Sequence, residues 1–245
     1  MPRSSRKISA TGYYHIILRG INRQSIVMDD QDRRKMIDTL RRYSATPDAE
    51  LVAYCLMDNH LHLLLKADDG ASALVKRLAS SYVYYFNHKY DRVGHLFQDR
   101  YKSEAVETEA YLLTVARYIL QNPQKAGICA TEDYPWSSWR DMKTGDGFCD
   151  AQILCDCIGS KEALLDFCLS PSNDSCLDTR EKKSLNDSEA AKLFQRISGL
   201  SNFEEIAAMP RADRNSILSK ARAKGLSVRQ LARLTGLNRN IIQRV

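Results

Sequence analysis

Two apolar runs, ELVAYCLM (50–57) and HLHLLLKA (60–67), are separated by only Asp58 and Asn59. A two-residue polar connection between such runs signals a hairpin, and a hairpin forces antiparallel pairing. The segments on either side must fit that pair. GYYHIILRG (12–20) alternates and is rich in isoleucine and aromatics, so it reads as a strand. DDQDRRKMIDTLRRYSATP (29–47) opens on acids and closes on bases and Pro47, which is helix punctuation. ASALVKRLASSYVYYFNHKY (71–90) has helical periodicity, and HLFQDRYKSEAV (95–106) alternates as a strand does. TEAYLLTVARYILQNPQKAG (108–127) reads as one helix, with Thr108 as N-cap and Pro123 and Gly127 at its end. Strand, helix, strand, strand, helix, strand, helix is a split βαβ pattern. It predicts an α+β domain, an antiparallel sheet with helices packed against it.

Charge divides the 245 residues further. Residues 1–145 carry 21 Lys+Arg and 17 Asp+Glu, 146–189 carry 4 and 10, and 190–245 carry 11 and 3. We therefore expect three parts: a sheet domain (1–145), an acidic, partly helical connector and linker (146–189) and a basic helical domain (190–245). Within the connector, SPSNDSCLDTREKKSLNDSE (170–189) reads as linker. The longest apolar runs span about five residues, far short of a membrane helix. The N-terminus lacks an apolar signal region, so a reducing cytoplasm is expected. Seven cysteines is an odd number with no Cys-x-x-Cys pair, which argues against a disulfide framework or a zinc site.

Chemistry concentrates on one strand and one helix. His60 and His62 are two apart on the strand, so they share a face and could share a metal ion. The plainer alternative is two polar residues on a wet sheet face. Tyr118 and Asn122 are four apart on the last helix, hence one turn apart on the same side. The Asn122 amide oxygen offers a third ligand beside the Tyr118 hydroxyl. A phenol is a poor nucleophile unless a cation polarises its target. Tyr111 is a second candidate nucleophile, with Val115 where the amide would be. His15, His88 and His95 lack such pairing and read as structural.

These residues, in their setting, resemble a known family. His60-Leu61-His62 resembles the His-hydrophobic-His motif of HUH single-strand endonucleases. YYHIILRGINRQ (13–24), CLMDNHLHLLL (55–65), GHLFQDRYKS (94–103), ARYILQNPQKAG (116–127) and YPWSSWRDM (134–142) are similar, in order, to single-tyrosine transposases and their REP-associated branch. The resemblance implies a ferredoxin-like sheet and Mg²⁺ or Mn²⁺ held by His60, His62 and Asn122. It makes Tyr118 the nucleophile that forms a 5′-phosphotyrosine link on single-stranded or hairpin DNA. Asn122 stands where insertion-sequence members often carry Gln. Relatives act as monomers or homodimers.

Arg19, Arg23, Arg100 and Lys102 are candidate DNA contacts, with Arg100 and Lys102 on one face of the last strand. Arg3, Arg6 and Lys7 form a basic arm. Tyr82, Tyr84 and Tyr85 could stack bases or pack in the core. In the tail, 213–245 reads as three helices. Ser227 is an N-cap, Gly236 the turn, and Ala232 and Ile242 the small and apolar positions of a helix-turn-helix. Arg239, Asn240, Gln243 and Arg244 would then face duplex DNA. The leading reading is a metal-dependent single-strand DNA endonuclease and strand transferase. A non-catalytic DNA-binding regulator and an RNA-acting nuclease are the alternatives.

Overall fold

The computed structural model describes residues 7–45, 49–67, 71–98, 100–174, 176–177 and 187–243. The chain divides into two compact units, residues 1–179 and 180–245. In the first, β1 (Tyr13–Arg19), β2 (Glu50–Leu56), β3 (His60–Lys66) and β4 (Lys102–Val106) form a sheet in the order β2-β3-β1-β4. Every pairing is antiparallel. With α1 (Asp30–Ser44), α2 (Ser72–Lys89) and α3 (Glu109–Leu120), this is the ferredoxin-like arrangement the segment order predicts.

The alternation of β1 and β3 sorts two cores. Tyr14, Ile16, Leu18, Leu61, Leu63 and Leu65 face α1 and α2. Leu64 faces α3 on the opposite side, together with α5 (Trp139–Thr144), α6 (Gln152–Ile158) and α7 (Lys161–Leu169). The acidic stretch thus supplies core residues, Leu154, Leu164 and Cys168, to the first unit. Residues 170–177, expected as linker, also dock there. Asp174 accepts from Nε and one terminal nitrogen of Arg117 (2.7 and 3.1 Å), and Ser172 donates to Gln121 (3.0 Å). The polar composition that reads as linker is spent on these contacts. All seven cysteines are free. No helix among the described residues is long and apolar enough to cross a membrane.

Two elements differ from expectation. The strand expected over 95–106 is β4 alone, because the ladder ends at the pair Ile17↔Lys102. Beyond it, among the described residues, the end of β1 and the residues after it meet this segment through the Gly20↔Phe97 bridge, Gln98 N–H to the Arg19 carbonyl (2.7 Å) and Ile21 N–H to the Leu96 carbonyl (2.9 Å). Arg100 therefore lies outside the strand rather than sharing its face with Lys102. The expected 108–127 helix stops at Leu120 and restarts as a single turn, α4 (Asn122–Lys125). Pro123 has no N–H to continue the ladder. Asn122 instead donates its side-chain amide to the Tyr118 carbonyl (2.8 Å), the acceptor a continuous helix would give to a backbone amide.

The second unit holds α8 (Asp187–Ser198), α9 (Arg211–Ala223), α10 (Val228–Thr235) and α11 (Arg239–Gln243) around Phe194, Ile206, Leu218, Leu231 and Ile242. Ser227 and Gln230 form a reciprocal capping box at the start of α10. Gly236 ends it at φ +69°, a left-handed corner that glycine takes without steric cost.

α1 and α2 are tied by one buried carboxylate. Asp32 is fully buried and accepts from Met28 N–H, the Tyr85 and Tyr90 hydroxyls and Lys89 Nζ (2.7–3.0 Å). Burial works against its charge, but the bonds from Lys89, Tyr90 and Met28 prevail and hold its pKa below the usual carboxylate value. That stabilisation is complete above the unfolded carboxylate's pKa of about 3.9 and is lost as pH falls through the lower folded value. Asp32→Asn should cost about 3 kcal/mol in urea unfolding at pH 7. The difference from wild type should shrink toward zero in the same titration near pH 2.

Candidate active site

The register of β1 against β3 pairs Arg19 with His60 and Ile17 with His62. On the α3 side of the sheet this places His60 and His62 on one strand and His15 on its neighbour. The three imidazoles meet there. His60 and His62 ring centroids are 4.8 Å apart, and His15 stacks on His62 at 5.3 Å. Tyr118, from α3, packs edge-on against both His15 (6.0 Å) and His62 (5.9 Å). Lys125 Nζ lies 4.8 Å above the Tyr118 ring. Asn122 follows Tyr118 by one turn, its amide nitrogen held by the Tyr118 carbonyl. The four residues singled out from sequence, His60, His62, Tyr118 and Asn122, are thus gathered at one place.

Each histidine of the motif has a partner that selects its tautomer. His60 Nδ1 lies 2.6 Å from Asn59 Oδ1, which can only accept, so His60 carries its proton on Nδ1 and presents Nε2 as a lone pair. His62 Nδ1 lies 3.0 Å from His15 Nε2. A shared proton on His62 Nδ1 would leave His62 Nε2, buried with no hydrogen-bond partner among the described residues, as a lone pair. A bare lone pair there suits a cation, whereas an N–H would be stranded. Burial, then the neighbouring His60 and His15, push the His62 pKa well below the ordinary value, so the ring is neutral at pH 7. A neutral imidazole is the form that binds metal.

Asn59 also braces the turn behind the site. Its amide donates to the Arg23 carbonyl (3.3 Å), and its carbonyl accepts from Gly20 N–H (2.9 Å). Asn22 and Arg23 sit at φ +50° and +62°, an uncommon conformation for residues with side chains. Gly20 is required there, since a Cβ would fall onto the Gln24 carbonyl. His15 and Asn59 are the site residues that sequence reasoning missed. His15 carries a signal only in its strand parity, and its partner is 47 residues away.

The other candidates are placed as follows. Tyr111 donates its hydroxyl to Glu104 (2.7 Å), and burial and that bond raise its pKa, which keeps it a phenol. Arg23, Arg100 and Lys102 are exposed and Arg19 is half-buried. Lys7 pairs with Glu107 (3.1 Å), while Arg3 and Arg6 lie outside the described residues. Tyr82 is core and donates to the Ile26 carbonyl, and Tyr85 is committed to Asp32. Only Tyr84 of that trio is exposed. In the second unit Arg239, Asn240 and Gln243 are exposed on α11, and Arg244 lies outside the described residues. Among the described residues no three His, Cys, Asp or Glu side chains form a group able to hold a metal. A cation at this place therefore needs the histidine pair and a ligand of another type, such as the Asn122 amide oxygen.

The sheet, its His-x-His strand and the facing tyrosine helix lie within the part of the chain that comparison with known proteins matches. Residues 9–122 match the model of the family described as transposase, IS200-like. Among solved structures, the chain is similar to a REP-associated tyrosine transposase bound to a REP hairpin. The identity is 23%, with 62% of this chain and 93% of that chain covered and a TM-score of 0.47. It is also similar to a Deinococcus radiodurans R1 protein described as a transposase, at 21% identity, covering 53% of this chain and 100% of that chain, with a TM-score of 0.35. No curated protein gives a significant match.

The tautomers are directly testable. Long-range nitrogen–proton NMR correlations in the metal-free protein should place the His60 and His62 protons on Nδ1. Asn59→Ala should shift His60 toward the Nε2–H form and leave His62 unchanged.

Proposed function

We propose that the first unit is a metal-dependent single-strand DNA endonuclease and strand transferase acting through Tyr118. The observation that carries this reading is that His15 and His62 both pack against the Tyr118 ring, within 6.0 Å, with His60 against His62 at 4.8 Å. His60 and His62 through Nε2, and Asn122 through Oδ1, would hold Mg²⁺ or Mn²⁺. The fit rests on the unpartnered, buried Nε2 of His62 and on the Asn122 amide, whose nitrogen is already committed to the Tyr118 carbonyl. When bound, the ion would polarise and orient the scissile phosphate.

The protein's own part is then limited and specific. The sheet and α3 fix the Tyr118 ring, which is buried, so its oxygen is positioned rather than free to wander. That oxygen attacks phosphorus, the bond to the 3′-oxygen breaks, and the phenol proton ends on the released 3′-hydroxyl. One phosphate ester replaces another, so no water is consumed and the reverse attack rejoins strands. Lys125, above the ring, offsets the negative charge that grows on the phenol oxygen as its proton departs.

The second unit is proposed to bind duplex DNA as a helix-turn-helix. The support is the order of α10, the Gly236 corner and α11, with Ile242 buried and Arg239, Asn240 and Gln243 exposed. The substrate we propose for the first unit is single-stranded or hairpin DNA.

Incubation with labelled hairpin DNA from the flanks of its gene and Mn²⁺ should yield a covalent protein–DNA adduct on a denaturing gel. Tyr118→Phe should abolish the adduct and leave native-gel binding within about two-fold. An adduct that persists in Tyr118→Phe removes the tyrosine from its role. Binding without any adduct in wild type makes the chain a DNA-binding regulator. Independently, Arg239→Ala with Asn240→Ala should weaken duplex binding by about ten-fold or more while adduct formation on the hairpin is retained.

A further inference from the structure

Outside the histidine site, a concavity of the first unit lies along the C-terminal half of α2 and the turn that follows it. It is an open groove of about 760 Å³, lined in part by Tyr84, Asn87, His88, Asp91, Arg92 and His95. Its chemistry is unusual for a surface. Tyr84 is 78% exposed, although large aromatics are normally drawn into the core. Its ring lies parallel to that of His88, within 7°, with centroids 6.5 Å apart. The two form a platform of flat π-faces one helical turn apart.

The turn below the platform is tightly built. Asn87 accepts from Arg92 N–H through its backbone carbonyl (2.9 Å) and donates its amide to the Gly94 carbonyl (2.9 Å). Asp91 takes φ +47° to make the corner. Arg92 is oriented by the Phe86 ring (5.5 Å) and by one bond to Gln24 (3.2 Å), which leaves further guanidinium donors uncommitted to that bond. Against the single carboxylate of Asp91, the groove offers Arg92 and two imidazoles, His88 and His95.

The segment that walls the groove is tied by its backbone to the end of β1. Phe97, on its wall, bridges to Gly20, and Gln98 bonds to Arg19, the residue opposite His60 on β3.

We propose that this groove binds an unpaired nucleotide of the DNA substrate, its base stacked on Tyr84 and His88 and its phosphate held by Arg92 and His95. Aromatic platforms beside cationic groups are how proteins hold single strands without reading their sequence. The inference rests on the single-strand DNA reading of the first unit. It adds a second foothold for the strand, away from the tyrosine.

The test compares one hairpin, drawn from the DNA flanking the gene, with and without an oligothymidylate tail on either side. Affinities would be measured by fluorescence anisotropy. Wild type should bind a tailed hairpin more tightly than the blunt one. Tyr84→Ala should lose about ten-fold on the tailed hairpin and nothing on the blunt one, and Tyr84→Phe should behave as wild type. His88→Ala should lose part of the same increment. The exposure of Tyr84 makes a folding defect an implausible source of the loss, and circular dichroism of each variant checks it. If Tyr84→Ala binds the tailed hairpin as tightly as wild type while the Tyr118 adduct still forms, the groove proposal is overturned and the nuclease reading stands. If wild type binds neither DNA, both are overturned together.

Discussion

The pairing of β3 with β1 is the constraint on which the rest of the first unit depends. Leu61, Leu63 and Leu65 must face α1 and α2 to close one core, and the alternation of the strand then sends His60 and His62 to the opposite side. A slip of one residue would turn two imidazoles toward α1 and α2 and three leucines toward α3, so the hydrophobic pattern and the site fix the same register. The apolar sequence that makes the strand fold is thereby what aims its polar residues. His15 follows from the same rule on β1, where Tyr14, Ile16 and Leu18 fill the first core.

Polar groups on the α3 side are arranged in relays rather than singly. Arg23 carbonyl, Asn59, His60 form one chain, and His15, His62 form a second. Each ends on an imidazole nitrogen. A buried histidine without such a partner could flip or change tautomer at small cost, and the site would lose definition. The strained pair Asn22 and Arg23 is held by the first relay, which makes the local strain part of how His60 is positioned.

Much of this was legible in the sequence because it is local. The hairpin at Asp58-Asn59, the period-two spacing of His60 and His62 and the four-residue spacing of Tyr118 and Asn122 are all short-range patterns. The ferredoxin-like order follows from segment types alone. What was not legible depends on distant partners. His15 reads as one more residue of an alternating strand until β3 is laid beside it. Tyr82, Tyr84 and Tyr85 are indistinguishable by composition, yet Ile26 and Asp32 claim two of them and leave the third in solvent. Arg100 reads as a strand residue because 95–106 alternates, but β1 is too short to pair with all of it. The polar stretch 170–177 reads as linker because its partners, Arg117 and Gln121, lie about fifty residues earlier on α3.

The break between α3 and α4 brings the two scales together. Pro123 interrupts the backbone ladder, a purely local effect of its ring. The N–H it lacks is the one that would reach the Ile119 carbonyl, and beside that gap the Asn122 side chain donates to the Tyr118 carbonyl. That bond does two things at once. It satisfies the end of the tyrosine's own helix, and it fixes which end of the Asn122 amide is spoken for, leaving the oxygen as the acceptor. The tyrosine and its amide neighbour are thereby tied to each other across the break, one turn apart, rather than left as two independent side chains.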